Sequence, residues 1–312
     1  MRQQYKFLFG PVPSRRLGRS LGIDLTPFKT CSFDCIFCQL GRTTNLTSRR
    51  DLYVPLAEVK AELDSWLSAD GQADIITLAG SGEPTLYSGF GEIIRHVKAH
   101  SKIPVAVLTN GSMLHLPEVR AAAAEADIVK ISLSAWNDES LMQINRPSND
   151  LRFEQILAGE QQFRREFKGQ LWMEVFILDG INSLPEHVGR IAKLAASIAP
   201  DRIQLNTCVR PPAEKFASAV SQAELSELAA LFTPAAEVIA EFSSAKQSEI
   251  KASEEAVLDM LRRRPCTSRQ IADVFGMHLN EVAKYLGKLV RTGQVKAVQR
   301  DDNTYYACVS GS

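Results

Sequence analysis

The chain has 312 residues, 45% of them hydrophobic, enough to bury one large core beside a smaller one. Its 36 Lys and Arg are balanced by 36 Asp and Glu, so no global field draws it to nucleic acid or to an anionic membrane, and any basic surface has to be local. Residues 1–10 lack the apolar length and cleavage site of a signal peptide, no run approaches about 18 apolar residues, and the isolated Cys208, Cys266 and Cys308 read as structural rather than as a disulfide framework; a cytoplasmic protein without a membrane segment is the expectation.

β-rich runs at 21–25, 74–79, 105–109, 128–134, 171–178 and 202–207 alternate with stretches whose apolar residues recur at helical spacing, for instance Val188, Ile191, Leu194 and Ile198. Six strand-then-helix units predict an α/β fold with a parallel sheet, an open or partial barrel whose chemistry sits on the loops at the C-terminal strand ends. A helix at 221–232 and a closing strand at 238–242 follow, and the polar stretch 243–248 reads as a linker. Beyond it the pattern predicts a helix over 253–264 capped by Ser253, a short helix over 267–276 closed by Gly276, and a third capped by Asn280 and running to Val290. Two β runs, 295–300 and 304–309, flank the turn-like residues Asp301, Asp302 and Asn303 as a hairpin. Three helices and a hairpin resemble a small winged helix-turn-helix domain. The expected division is a barrel at 1–242, a linker at 243–250 and this domain at 251–312.

The loop after the first of the six strands carries Cys31, Cys35 and Cys38 within eight residues. Three thiolates are one short of the four that a closed zinc or ordinary iron–sulfur site asks for, so the spacing points to a metal centre with one open position. Buried apolar thiols and a zinc site completed by a distant His or Asp are the alternatives, and soft thiolates alone do not separate zinc from iron.

The C-x3-C-x2-C spacing, with Phe37 just before the third cysteine, resembles the signature of the radical S-adenosylmethionine (SAM) superfamily. Residues 10–18 (GPVPSRRLG) and 20–24 (SLGID) resemble, more narrowly, the group related to tRNA wyosine-base synthases. The resemblance implies a partial (β/α)6 TIM-type barrel and one 4Fe-4S cluster held by Cys31, Cys35 and Cys38, its fourth iron chelated by SAM. It further implies reductive cleavage of SAM to a 5′-deoxyadenosyl radical that abstracts hydrogen from a substrate. A one-electron donor such as flavodoxin or ferredoxin is the implied partner. Gly80, Gly82 and Glu83 resemble the superfamily's glycine-glycine-glutamate motif, in which exposed carbonyls and a negative charge receive the SAM ammonium.

Other polar residues fall at strand ends: Asn110, Ser132, Ser134, Glu174 and Asn206, which are candidates for the ribose and adenine of SAM, a capping or satisfied-polar role being the alternative for each. The resemblance carries that role most readily to Asn110 and Ser134. Glu174 could equally face an outer helix, since register decides. Arg146 could fork the SAM carboxylate or make a surface salt bridge. Arg15, Arg16 and Arg19 before the first strand, with Arg42, Arg49 and Arg50 after the cysteines, predict an arginine-lined mouth for an anionic substrate, Arg15 and Arg16 foremost. In the last domain Lys284, Lys288 and Arg291 fit a recognition helix for RNA, and a protein partner fits as well. The leading reading is a radical SAM enzyme, with tRNA modification as the reaction the narrower resemblance suggests; the rivals are an activase or protein modifier and, from another class, an iron–sulfur redox sensor binding nucleic acid.

Overall fold

The computed structural model describes residues 5–14, 16–69, 71–239, 254–275, 277, 279–300 and 303–309. Its first part runs β1 (Leu8–Ser14), β2 (Gly18–Ile23), β3 (Thr30–Cys31), β4 (Asn45–Leu46), α1 (Leu56–Ser68), β5 (Ile75–Leu78), α2 (Phe90–His100), β6 (Val105–Leu108), α3 (Pro117–Ala123), β7 (Ile128–Ser132), α4 (Asp138–Ile144), α5 (Phe153–Glu166), β8 (Gln170–Phe176), α6 (Pro185–Ile198), β9 (Arg202–Asn206), α7 (Gln222–Ala229) and β10 (Glu237–Val238). Strands pair in the order β1-β2-β5-β6-β7-β8-β9-β10, and from β2 to β10 every pairing is parallel. All six predicted strands are present, in sequence order across the sheet. Period-2 alternation gives each a buried apolar face, as with Val129 and Ile131, Met173 and Val175, Ile203 and Leu205, in one core with helix residues such as Val188, Ile191 and Phe163.

The opposite face is polar. Register aligns Lys130 with Trp172 and Arg202, and Ser132 with Glu174 and Gln204, while Phe176 aligns with Asn206 one layer on. These side chains line the inside of the curled sheet, so Glu174 points inward.

Strand β1 was not expected. It pairs antiparallel with β2 at the sheet edge, the position where Pro11 and Pro13 are tolerated because a missing N–H costs no ladder bond. Of the predicted closing strand only its start is described: β10 covers Glu237–Val238, and residues 240–242 lie outside the described residues.

The second part contains α8 (Glu254–Arg263), β11 (Cys266–Thr267), α9 (Ser268–Phe275), α10 (Leu279–Arg291), β12 (Val295–Arg300) and β13 (Asn303–Cys308). The hairpin is as expected, and β11 adds a third strand in the order β11-β13-β12. Thr267 and Gln270 form a reciprocal cap at the start of α9: Gln270 N–H donates to Thr267 Oγ1 (3.2 Å) and Thr267 N–H to Gln270 Oε1 (3.0 Å). Asn280 does not cap α10, which starts one residue earlier at Leu279. Ser253, Gly276, Asp301, Asp302, the linker 243–250 and Arg15 lie outside the described residues. Val257, Leu261, Ile271, Val282, Leu286 and Leu289 form a separate core. Helix α8 lies against the edge strand β1, and the Tyr305 hydroxyl donates to the carbonyl of Val209 in the segment after β9 (2.9 Å). Among the described residues no helix is long and apolar enough to cross a membrane.

Candidate metal and cofactor site

The loop between β2 and α1 has little regular structure of its own; its neighbours position it. Backbone pairing zips residues 32–36 against 144–148 at the end of α4, through Asp34 N–H to Asn145 O (2.9 Å), Ile36 N–H to Ile144 O (3.0 Å) and Ser148 N–H to Ser32 O (2.9 Å). On the other side the loop after β5 packs so closely that a Cβ on Gly82 would lie 1.8 Å from the Thr30 carbonyl oxygen, and one on Gly80 2.2 Å from Asp24 Oδ1. Both glycines are required by the chain's own packing.

Each thiol receives a side-chain donor: Asn110 Nδ2 lies 3.7 Å from Cys31 Sγ, Asn145 Nδ2 3.3 Å from Cys35 Sγ, and Lys29 Nζ 3.1 Å from Cys38 Sγ; the Phe33 backbone N–H adds a second to Cys31. Asn110 Nδ2 also donates to Ser32 Oγ (2.8 Å), tying the end of β6 to the loop. Burial pushes the Cys31 thiol up to about 12, with the Glu83 carboxylate adding to it; burial pushes Cys35 up further, reinforced by Cys31 and Cys38. Three sulfurs become anionic this close together only around a cation.

Which metal centre fits follows from spacing. Among the described residues, the one group of potential ligand atoms all within 4.8 Å of one another is Asp64, His96 and His100 on the outer helices; the three cysteine sulfurs are spread more widely. A single zinc ion, at about 2.3 Å from each sulfur, would draw them closer than that, whereas the separate corners of an iron–sulfur cube accommodate the spread. The buried ammonium of Lys29, 3% exposed and aimed at Cys38, matches the negative charge of a thiolate-ligated cluster.

The neighbouring candidates are partly reassigned by their contacts. Glu83 is 2% exposed and accepts four hydrogen bonds, from Thr85 N–H (3.0 Å), Thr85 Oγ1 (2.5 Å), Thr109 Oγ1 (2.6 Å) and Asn110 N–H (2.8 Å). Burial raises its pKa, and those bonds oppose the rise. It braces two strand ends rather than presenting an open charge. The carbonyls of Gly80 and Gly82 accept no donor among the described residues and remain available to a ligand ammonium. Ser134 Oγ accepts from Phe176 N–H (3.0 Å). Ser132 is half-buried without a hydrogen-bond partner among the described residues. Asn206 Nδ2 donates to Glu174 Oε1 (3.0 Å). Phe37 stacks on Phe176 with ring centroids 4.2 Å apart, which joins the cysteine loop to the inside of the sheet.

Arg146 is not free for a carboxylate ligand: its Nη1 lies 2.5 Å from Glu214 Oε1 and 3.9 Å from Asp34 Oδ2, and Arg42 pairs with the same two carboxylates. The alternative weighed for it, a salt bridge, is what forms. The arginine-lined mouth is also corrected. Arg16 precedes β2 and Arg19 is its second residue, so both lie at the N-terminal strand ends, opposite the cysteines; Arg19 pairs with Asp74, Arg49 with Asp51 and Arg50 with Glu118. Arg16 turns inward across the sheet, its Nη1 3.1 Å from both Glu174 Oε1 and Gln204 Oε1.

Glu174 also holds Lys130, which is 7% exposed. Burial alone would raise the Glu174 carboxyl, but Lys130 and Arg16 outweigh it and hold it well below the usual range. Sequence reasoning missed Lys29, Asn145, Lys130 and Gln204, since each acquires its role from residues far along the chain. A Glu174→Gln variant is expected to be less stable at pH 7 by about 3 kcal/mol, because two buried cations lose their counter-charge. The folded pKa of Glu174 lies below its ordinary 4.5, so its contribution is complete above that pH and lost as pH falls. Urea unfolding followed from pH 7 down to about pH 3 should therefore show the gap between wild type and variant constant above about pH 5 and narrowing below it; a gap independent of pH over that whole range refutes the assignment.

The radical SAM superfamily profile matches residues 25–195. The chain is 39% identical over 295 residues to a GTPase Obg of Brachyspira hyodysenteriae, a match covering 93% of this chain and 43% of that protein, so it spans less than half of that relative's length. It is 38% identical over 212 residues to a UPF0026 protein of Synechocystis, covering 68% of this chain and 78% of that one, and 30% identical over 305 residues to a UPF0026 protein of Methanocaldococcus jannaschii, covering 96% and 94%. Among solved structures, a radical SAM methyltransferase from Sphaerobacter thermophilus has the same fold, with a TM-score of 0.56, 17% identity, and coverage of 72% of this chain and 66% of that one. A profile that spans more than half of the chain, over the cysteine loop and strands β5 to β8, places the protein in the radical SAM superfamily, whose enzymes use a 4Fe-4S cluster and SAM, with the UPF0026 proteins as its relatives.

Proposed function

We propose that the protein is a radical SAM enzyme of tRNA modification, with Cys31, Cys35 and Cys38 as the ligands of its one cluster. When bound, the cluster and SAM supply one-electron cleavage of SAM to methionine and a 5′-deoxyadenosyl radical that takes a hydrogen atom from the substrate. The observation that carries this reading is the set of three spread thiols, each with its own donor, on a loop at the C-terminal ends of parallel strands.

The chain's residues then divide the work. Asn110, Asn145 and Lys29 stabilise thiolate charge and fix the sulfurs. The Gly80 and Gly82 carbonyls receive the SAM ammonium, and Asn110, Ser132, Ser134 and Asn206 offer hydrogen bonds to its ribose and adenine. The stacked Phe37 and Phe176 shield the reacting carbon from water. An electron enters from a flavodoxin or ferredoxin. Residues 251–312 act as a winged helix-turn-helix domain beyond a linker at 243–250, and the barrel occupies 1–242. RNA binding by α10 is supported by exposed Lys284, Lys288 and Arg291, of which Lys288 pairs with Glu254 of α8 (2.8 Å).

The test is anaerobic reconstitution followed by dithionite and SAM. Equal amounts of 5′-deoxyadenosine and methionine are expected; an intact cluster that yields neither overturns the enzymatic reading and leaves a redox sensor.

A further inference from the structure

We propose that the floor of the barrel, formed by Arg16, Lys130 and Gln204, is a receptor for an oxyanion, so that the substrate or co-substrate held beneath the cofactor site carries a carboxylate or a phosphate. The role as substrate site rests on the enzymatic reading above; the anion site itself does not.

Charge balance comes first. Two cations, Arg16 and Lys130, share one carboxylate, Glu174, inside the sheet, which leaves one positive charge without a counter-ion among the described residues facing it. A buried charge in that state is costly, and a ligand anion removes the cost. Burial and the Arg16 charge together bring the Lys130 ammonium down to about 8, as two cations competing for one carboxylate would.

Donor count points the same way. Gln204 is fully buried, its Oε1 accepts from Arg16, and its Nε2 has no hydrogen-bond partner. Among the described residues, Arg16 Nε and Nη2 have none either, and Lys130 Nζ has only Glu174. Register sets Gln204, Glu174 and Ser132 side by side on β9, β8 and β7, and the Ser132 hydroxyl is also unpartnered. A guanidinium edge, an ammonium and an amide N–H on two adjacent inner layers form a donor set for planar or tetrahedral oxyanions.

The place is reachable and well positioned. The Arg16 and Glu174 side chains keep 21% and 14% of their exposure although they lie inside the sheet, so solvent enters. Gln204 and Glu174 precede Asn206 and Phe176 by two residues, roughly 7 Å of strand rise below the layer that Phe37 covers. An anion on the floor would thus leave the carbon skeleton of a small molecule directed towards the cysteine loop.

The experiment titrates inorganic phosphate and malonate into the anaerobically reconstituted full-length protein at low ionic strength, by calorimetry. Binding of either supports the site: phosphate alone indicates a phosphorylated ligand, malonate alone a carboxylate. Arg16→Gln and, separately, Gln204→Leu should each weaken binding about tenfold or more, with unfolding temperature as the check on folding. If wild type binds neither anion, or if both variants are folded and bind as wild type does, the site is refuted. SAM cleavage is read separately on wild type: anion binding without 5′-deoxyadenosine removes the enzymatic reading and keeps the receptor, and 5′-deoxyadenosine without anion binding does the reverse.

Discussion

Replacing Cys35 by alanine is expected to abolish 5′-deoxyadenosine formation, a loss of about a thousandfold or more, and to strip the reconstituted protein of its cluster absorbance. Cys35 is the sharpest of the three to test because its surroundings are otherwise apolar and hydrogen-bonded. Ile36 beside it is fully buried, and the one side-chain donor to its sulfur is Asn145 at 3.3 Å. Removing the sulfur leaves the loop's backbone zipper to residues 144–148 intact, so the variant should keep its fold while losing the metal. Iron and sulfide content, the visible spectrum and product assay decide it together. A folded Cys35→Ala protein that retains four irons and makes 5′-deoxyadenosine would refute the ligand assignment.

Gly82→Ala is the second large effect, and it acts through the backbone. The new methyl would meet the Thr30 carbonyl oxygen at 1.8 Å, and that oxygen already accepts from Glu83 N–H at 3.1 Å. A carbonyl in β3, one residue before Cys31, has no flexible side chain to give way. We expect a loss of about 3 kcal/mol or more of stability, with cluster retention falling in parallel as Cys31 is displaced. Gly180→Ala is the control: its φ of 67° makes it mildly strained, but a Cβ there meets nothing within 4 Å. It should cost only about 1 kcal/mol and leave the cluster in place. Thermal unfolding and iron content of the two variants separate a general cost of replacing glycine from the specific clash; equal losses in both would count against the packing argument.

The six parallel strands were legible because each carries alternate buried Val, Ile, Leu or Met residues and they are separated by helices of clear period. Strand β1 was hidden by its own prolines, and with it the route of Arg16. Once a hairpin precedes the parallel strands, an arginine in its turn belongs to the N-terminal end of the barrel; without that hairpin it reads as a neighbour of the cysteine loop. The cysteines were legible from spacing alone. Their donors were not, since Asn145 lies 110 positions from Cys35 and nothing local in an Asn-Arg-Pro run says which of the two polar side chains will turn inward. Here Arg146 adopts a left-handed φ of 48° and pairs with Glu214, while Asn145 faces the sulfur. The Gly80 to Glu83 run was recognised, yet its glycines answer first to Asp24 and Thr30, which only the folded loop brings near.

The cysteine loop hangs from the loop after β5, the end of β6 and the end of α4, elements that span residues 79–148. Its three thiols therefore hold their places through contacts with chain segments far from them in sequence. In small zinc modules the metal organises an otherwise unfolded chain, whereas here the chain's own contacts hold the loop. The cluster ligands are thus presented by a frame of long-range contacts rather than by a self-contained local motif, so loading is expected to depend on that frame being in place.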